Sequence, residues 1–155
     1  MNRPEYIVIH HSFTEDGMLL DWTAIRNYHV KVNGWTDIGY HYGVERVKKE
    51  LTLQIGRPVF MEGAHCKEAR MNSRSIGMCV VGNFDAAPPP LDTLTYVRDL
   101  CWAFMANYDI PAQNIIGHRE AGLAAGFDWK KGQYKTCPGR LFPMDTLRFM
   151  CGEET

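Results

Sequence analysis

The chain has 155 residues, 45% of them apolar and 23% charged, a balance that excludes a disordered polypeptide. That length is one ordinary domain, enough to bury a core without disulfide or metal staples. Seventeen Lys and Arg against 18 Asp and Glu leave a formal charge of -1, which speaks against broad nucleic-acid binding, where affinity comes from neutralised phosphates.

Tyr6 to His10 (YIVIH) is a short β-branched run and predicts a buried strand. From Asp21 to about Val32, apolar positions at Trp22, Ile25, Tyr28, His29 and Val32 recur at three and four. They predict a helix capped by Asp21 and stopped by Asn33-Gly34. Gly39 to Val47 and Leu51 to Ile55 read as two strands joined through Lys48-Lys49-Glu50. Met61 to Arg74 lacks periodicity and reads as a long surface loop, while Ser75 to Val81 (SIGMCVV) is apolar enough for a central strand. After the stiff Ala86-Ala87-Pro88-Pro89-Pro90 connector comes the clearest amphipathic helix. It spans about Leu91 to Tyr108, with Leu94, Val97, Cys101 and Phe104 set to pack on the sheet. Asn114 to Gly117 is another short strand, Gly117 to Gly139 is Gly-rich and irregular, and a last helix begins near Pro143. Strands and helices interspersed without repeat or linker predict one α/β domain over residues 1–155, a mixed central sheet flanked by helices.

Five cysteines, an odd number without a CxxC pair, point to reduced thiols and a reducing compartment of synthesis. No apolar run approaches the ~20 residues of a membrane span, and the amino-terminal apolar run is too short for a signal-peptide core. Synthesis in the cytoplasm without a signal peptide is therefore expected.

Histidines carry the candidate chemistry. His10 and His11 end the first predicted strand, where sheet proteins place their sites, and His118 follows another strand. Cys137 lies in the Gly/Pro loop Lys135-Thr136-Cys137-Pro138-Gly139. Two imidazoles and a thiolate suit Zn2+, and three protein ligands with an open position is the catalytic pattern. The residues alone do not select this trio: His11, His41 and His65 are equal candidates.

In chain order the sequence shows IVIHHS (Ile7–Ser12), GWTDIGYHY (Gly34–Tyr42), GAH (Gly63–His65), SIGMCVVGNF (Ser75–Phe84), GHRE (Gly117–Glu120) and KTCPG (Lys135–Gly139). These six motifs, spread from about Tyr6 to Phe142, resemble the zinc-dependent N-acetylmuramoyl-L-alanine amidases of the amidase-2 type. That family includes small phage endolysins and the catalytic peptidoglycan recognition proteins. The resemblance implies His10, His118 and Cys137 as zinc ligands, with Tyr40 and Lys135 as catalytic residues. It implies hydrolysis of the amide between N-acetylmuramic acid and L-alanine of peptidoglycan. Many members carry Asp where this chain has Cys137, and the Cys form resembles the phage and recognition-protein branch. The stretch VERVKKELTLQIGR departs from the family's Asp-Gly turn and is expected to change one rim of the cleft.

Other residues have plainer expected roles. Trp35, Asp37, Ile38 and Gly39 should hold the start of a strand, and His11 should be a supporting residue. His41 should point away from Tyr40 and off the metal. His65 and Asn72 flank the long loop and are candidates for lining the substrate groove. Glu120, close to His118 in sequence, is a candidate for orienting it or for a plain exposed position. Cys66, Cys79, Cys101 and Cys151 read as packing residues. There is no HExxH glutamate to serve as general base, so Tyr40 and Lys135 are expected to share the work with the metal. The expected protein is a monomeric phage or prophage endolysin that lyses its bacterial host. Its partner is peptidoglycan, with no nucleic acid and no membrane span. Two rivals are a non-catalytic peptidoglycan-binding module and a cytosolic muropeptide-recycling amidase. Retention of His10, Tyr40, His118, Lys135 and Cys137 favours the enzyme over the binding module.

Overall fold

The computed structural model describes residues 3–14 and 21–152, so the ends of the expected 1–155 domain and residues 15–20 lie outside the described residues. Five strands are present: β1 (Tyr6–His11), β2 (Tyr42–Val47), β3 (Glu50–Ile55), β4 (Ser75–Val80) and β5 (Ile115–Gly117). They form one sheet in the order β3-β2-β4-β1-β5, antiparallel only between β2 and β3. The sheet is mixed, as expected. β4 is buried at all six positions, which explains why its sequence is apolar without alternation.

Helices cover both faces: α1 (Asp21–Asn27), α2 (Met71–Arg74), α3 (Leu91–Tyr108), α4 (His118–Ala124) and α5 (Met144–Gly152). Leu94, Val97, Cys101 and Phe104 of α3 and Leu147 of α5 are buried with Ile7, Ile9, Ile76, Met78 and Val80 of the sheet. The predicted face of α3 is the packed face. On the opposite side Val8 is buried with Cys66, Met71 and Ala121. Successive strand residues point to opposite faces. Hence Ile7 and Ile9 face α3 and α5, while Val8 and His10 share the other face.

Four segments differ from the sequence reading. The first helix narrows to α1 and continues as a π-helical turn over Tyr28–Val32, closed by the Asn33 amide donating to the Tyr28 carbonyl. Only Trp22 of its expected apolar face is buried, while Tyr28 and Val32 are exposed. The ring of Trp22 lies where a Cβ on Gly43 would be, and its indole N–H donates to the Ile55 carbonyl at 3.2 Å. Ile25 packs on the same cluster as Trp22, and Arg26 donates to the same Ile55 carbonyl at 3.3 Å.

Gly39 to His41 precede β2 instead of belonging to it. Their backbone bonds go to Ala64, Gly56, Arg57 and Gly77, which breaks regular pairing. Met61 to Arg74 is not a surface loop: Gly63, His65, Cys66, Glu68 and Met71 are buried, and it contains a 3-10 turn (Glu68–Arg70) followed by α2. Its polar side chains find partners elsewhere in the fold, so apolar periodicity could not reveal its burial. The Gly-rich stretch from Gly117 begins with α4, whose first residue is His118.

The turn between β2 and β3 consists of Lys48 and Lys49, both with positive φ, 49° and 74°. Such two-residue turns favour Asn-Gly because a Cβ is strained there. The double replacement Lys48→Asn/Lys49→Gly should raise stability by about 1 kcal/mol, read as a higher urea midpoint with an unchanged slope.

Candidate active site

The parallel strands β1 and β5 deliver two functional positions to one end of the sheet. Ile9 pairs with Gly117, so His10 of β1 and His118, the first residue of α4 directly after β5, come next side by side, and His10 pairs with Cys79 of β4. Cys137 arrives on the loop after α4. His10 Nδ1 lies 3.1 Å from His118 Nδ1 and 3.6 Å from Cys137 Sγ. Tetrahedral zinc, with bonds of about 2.0–2.1 Å to nitrogen and about 2.3 Å to sulfur, separates two nitrogen donors by about 3.3 Å and nitrogen from sulfur by about 3.5 Å. The spacing and the donor types both fit zinc, and these three residues could hold the ion. Cys66, Glu68 and the second ring nitrogen of His118 also converge, so His118 is common to two donor groups.

The outer ring nitrogens have protein partners. His10 Nε2 is 3.0 Å from His65 Nδ1. The His65 ring fills the space that Cβ atoms on Gly63 and Gly77 would occupy, which explains the glycines there. His118 Nε2 is 3.2 Å from the Glu68 carboxylate and 3.1 Å from the Tyr134 hydroxyl. Glu120 does not touch this ring. Its carboxylate accepts the Gly117 amide at 2.6 Å, capping α4, and pairs with Arg148.

The loop bearing Cys137 is held from two sides. Arg119 is buried and donates to the carbonyls of Gly139 and Phe142, while its own amide donates to the Cys137 carbonyl. Asp85 accepts from the Thr136 hydroxyl at 2.6 Å and from the Arg140 amide at 2.8 Å. Sequence reading missed Glu68, Asp85, Arg119 and Tyr134 as supports. For Arg119 a signal existed, since it directly follows His118.

An open cleft of about 780 Å3 exposes this cluster, with Phe13, Trp35, Tyr40, Asp85, Lys135 and Arg140 among its walls. The Tyr40 ring stands 5.1 Å from that of His10, and Lys135 lies at the exposed rim, over the Tyr134 ring. His11 accepts the Phe84 amide, and His41 accepts the Gly77 amide while donating to Met61, so both stand outside the donor cluster. His65 reaches the cleft wall with only 8% exposure. Asn72 Oδ1 accepts the amides of His65 and Cys66, a loop-closing contact. Trp35 stacks near His29 and reaches the cleft wall, while Ile38 and Gly39 are buried beside it. No residue from 44 to 57 lines the cleft. The unusual hairpin therefore stands outside the walls of this cleft. Cys66, Cys79, Cys101 and Cys151 are free and buried.

Burial dominates the electrostatics. It pushes His10 and His65 well below the usual imidazole range, and with the Lys135 charge it lowers His118 to about 4 despite the opposing pull of Glu68. Burial pushes the Cys137 thiol up to about 12, with the His11 amide, Lys135 and Arg119 pulling it back. Burial also raises the Tyr40 phenol well above its ordinary value. The histidines are neutral in the fold and bind protons more readily when unfolded. The metal-free protein should therefore lose stability as pH falls from about 6.5 toward 4. His118 alone accounts for about 3 kcal/mol of that loss. Urea unfolding of metal-free protein at about pH 7.5 and about pH 4.5 checks this, with the lower midpoint expected in acid.

Known proteins share this architecture. A family model described as N-acetylmuramoyl-L-alanine amidase matches residues 1–140. The chain is 37% identical over 142 residues to the endolysin of Escherichia phage T7, covering 84% of this chain and 88% of that protein. It is 28% identical over 123 residues to peptidoglycan-recognition protein LB of Drosophila melanogaster, covering 74% of this chain but only half of that relative's length. The solved structure of N-acetylmuramoyl-L-alanine amidase LysC from Clostridium intestinale URNW matches with a TM-score of 0.75 at 25% identity, covering 98% of this chain and 87% of that one. A cleft with two histidines and a cysteine at its floor, on a sheet this family shares, thus has a plain assignment: the chain belongs to the N-acetylmuramoyl-L-alanine amidases of the amidase-2 type.

Proposed function

We propose that the chain cleaves the amide between N-acetylmuramic acid and L-alanine in peptidoglycan, using zinc held by His10, His118 and Cys137. It works as one catalytic domain and as an endolysin on the wall of a bacterial host. The observation that carries this reading is the convergence of His10 Nδ1, His118 Nδ1 and Cys137 Sγ on the floor of an open cleft, with Tyr40 and Lys135 on its walls. Likeness to the T7 endolysin along most of both chains supports the lytic role. No helix among the described residues is long and apolar enough to cross a membrane.

When bound, zinc supplies Lewis acidity that polarises a carbonyl and makes water a better nucleophile. The chain's own residues supply orientation and charge. Attack at the amide carbon puts negative charge on the carbonyl oxygen. The Tyr40 phenol is protonated at neutral pH, as any phenol is and more firmly for its burial, and donates a hydrogen bond toward that oxygen. Lys135 brings a positive charge to the cleft, two residues from Cys137. His65 supports His10 through its ring while lining the cleft wall, and Asn72 closes the loop that carries His65.

Product analysis on purified peptidoglycan tests the reaction. New L-alanine amino termini without new reducing ends are expected. Binding to sacculi with no new termini would instead establish a binding module, and turnover confined to soluble muropeptides would establish a recycling enzyme. Residue roles separate in the variants. Cys137→Ala should lose stoichiometric zinc, measured by elemental analysis. Tyr40→Phe and Lys135→Ala should each lower kcat by about 10²–10³ while retaining zinc. Near-normal kcat in both zinc-loaded variants would contradict their proposed roles.

A further inference from the structure

His118 is held at both ring nitrogens, and its two sides face different surroundings. Nδ1 looks toward His10 and Cys137, while Nε2 looks toward Glu68 and Tyr134. Glu68 is itself a buried carboxylate, 8% exposed, on the segment that the sequence presents as a polar loop. A carboxylate has acceptors only, so the ring nitrogen facing it must carry the proton. The Tyr134 hydroxyl, beside the same nitrogen, is the second donor to that carboxylate. With Nε2 protonated, Nδ1 is left with its lone pair aimed at the three-donor cluster. The backbone directly after Glu68 takes two left-handed residues that are not glycine, Ala69 at φ 48° and Arg70 at φ 60°. The carboxylate meets the Nε2 edge of the His118 ring at 3.2 Å. Glu120, the carboxylate nearest in sequence, is committed to the start of α4 and to Arg148.

We infer that Glu68 is the positioning residue that sets the tautomer and orientation of His118 for metal binding, an inference that rests on the zinc reading of His10, His118 and Cys137. Glu68 acts through His118 and touches neither the metal nor the reacting atoms. Tyr134 supports it by donating to the same carboxylate.

Two measurements on the full chain test this: zinc affinity by competition with a chromophoric chelator, and 15N NMR of the His118 ring in metal-free protein. The variants are Glu68→Gln and Glu68→Ala. Glutamine keeps the size of the side chain and guards against a variant that fails to fold. Both variants should bind zinc about 10–100-fold more weakly than the unsubstituted chain. In both, the ring should change from a single Nε2–H form to a mixture of tautomers. A merely structural role for Glu68 would not move the tautomer. Unchanged affinity, or an unchanged tautomer, in folded Glu68→Gln overturns the inference. Failure of the zinc reading is seen separately, in the unsubstituted chain. If that chain takes up no stoichiometric zinc, or if His118→Ala binds it equally well, the metal assignment falls and the inference falls with it.

Discussion

The parallel register between β1 and β5 is the constraint on which the site depends. Because Ile9 lies opposite Gly117, the residue after each is a histidine, and the two rings meet at the end of the sheet. A slip of one residue would turn every side chain of β1 to the other face. His11 would then enter the cluster and Ile7 and Ile9 would leave the core. The apolar contacts of Ile7 and Ile9 with α3 and α5 therefore also enforce which histidine faces the cleft. Core packing and site geometry are fixed by one pairing.

Behind the three donor side chains lies a layer of polar groups with few alternatives open to them. His65 occupies a slot made by Gly63 and Gly77 and meets His10. Arg119, a buried cation, is surrounded by the carbonyls of the Cys137 loop and stacks on Trp129, so its desolvation is offset by hydrogen bonds. Asp85 reaches the same loop from the segment after β4. The loop that carries Cys137 is irregular in sequence, yet it is tied to two separate parts of the fold. Such ties are what allow a loop residue to hold a donor atom within tenths of an ångström of its partners.

Much of this is legible in the sequence. The β-branched run ending in His10 and the periodic face of α3 both follow from side-chain chemistry acting over a few residues. Six motifs in order identified the family where single residues left His11, His41 and His65 as equal candidates. The misreadings have two physical origins. Met61 to Arg74 looks like surface because its side chains are polar, but Glu68 and His65 are buried against partners distant in sequence, His118 and His10. Tyr28 and Val32 looked like a core face because the 3.6-residue period was assumed to continue through a π-helical turn.

By itself, the sequence determined the class of fold, most strand and helix positions, the family, and the short set of residues able to bind a soft cation. Those properties are set by local periodicity, turn chemistry and motif order. Only the tertiary structure decided which carboxylate meets His118 and that Glu120 caps a helix. It also decided that Asn72 closes a loop and that the Lys48-Lys49 hairpin stands away from the cleft. The reason is that hydrogen bonds between polar side chains carry no period along the chain. Their partners are chosen by how the sheet brings distant segments together, and a contact such as Glu68 with His118 exists only once β1, β4 and β5 are paired.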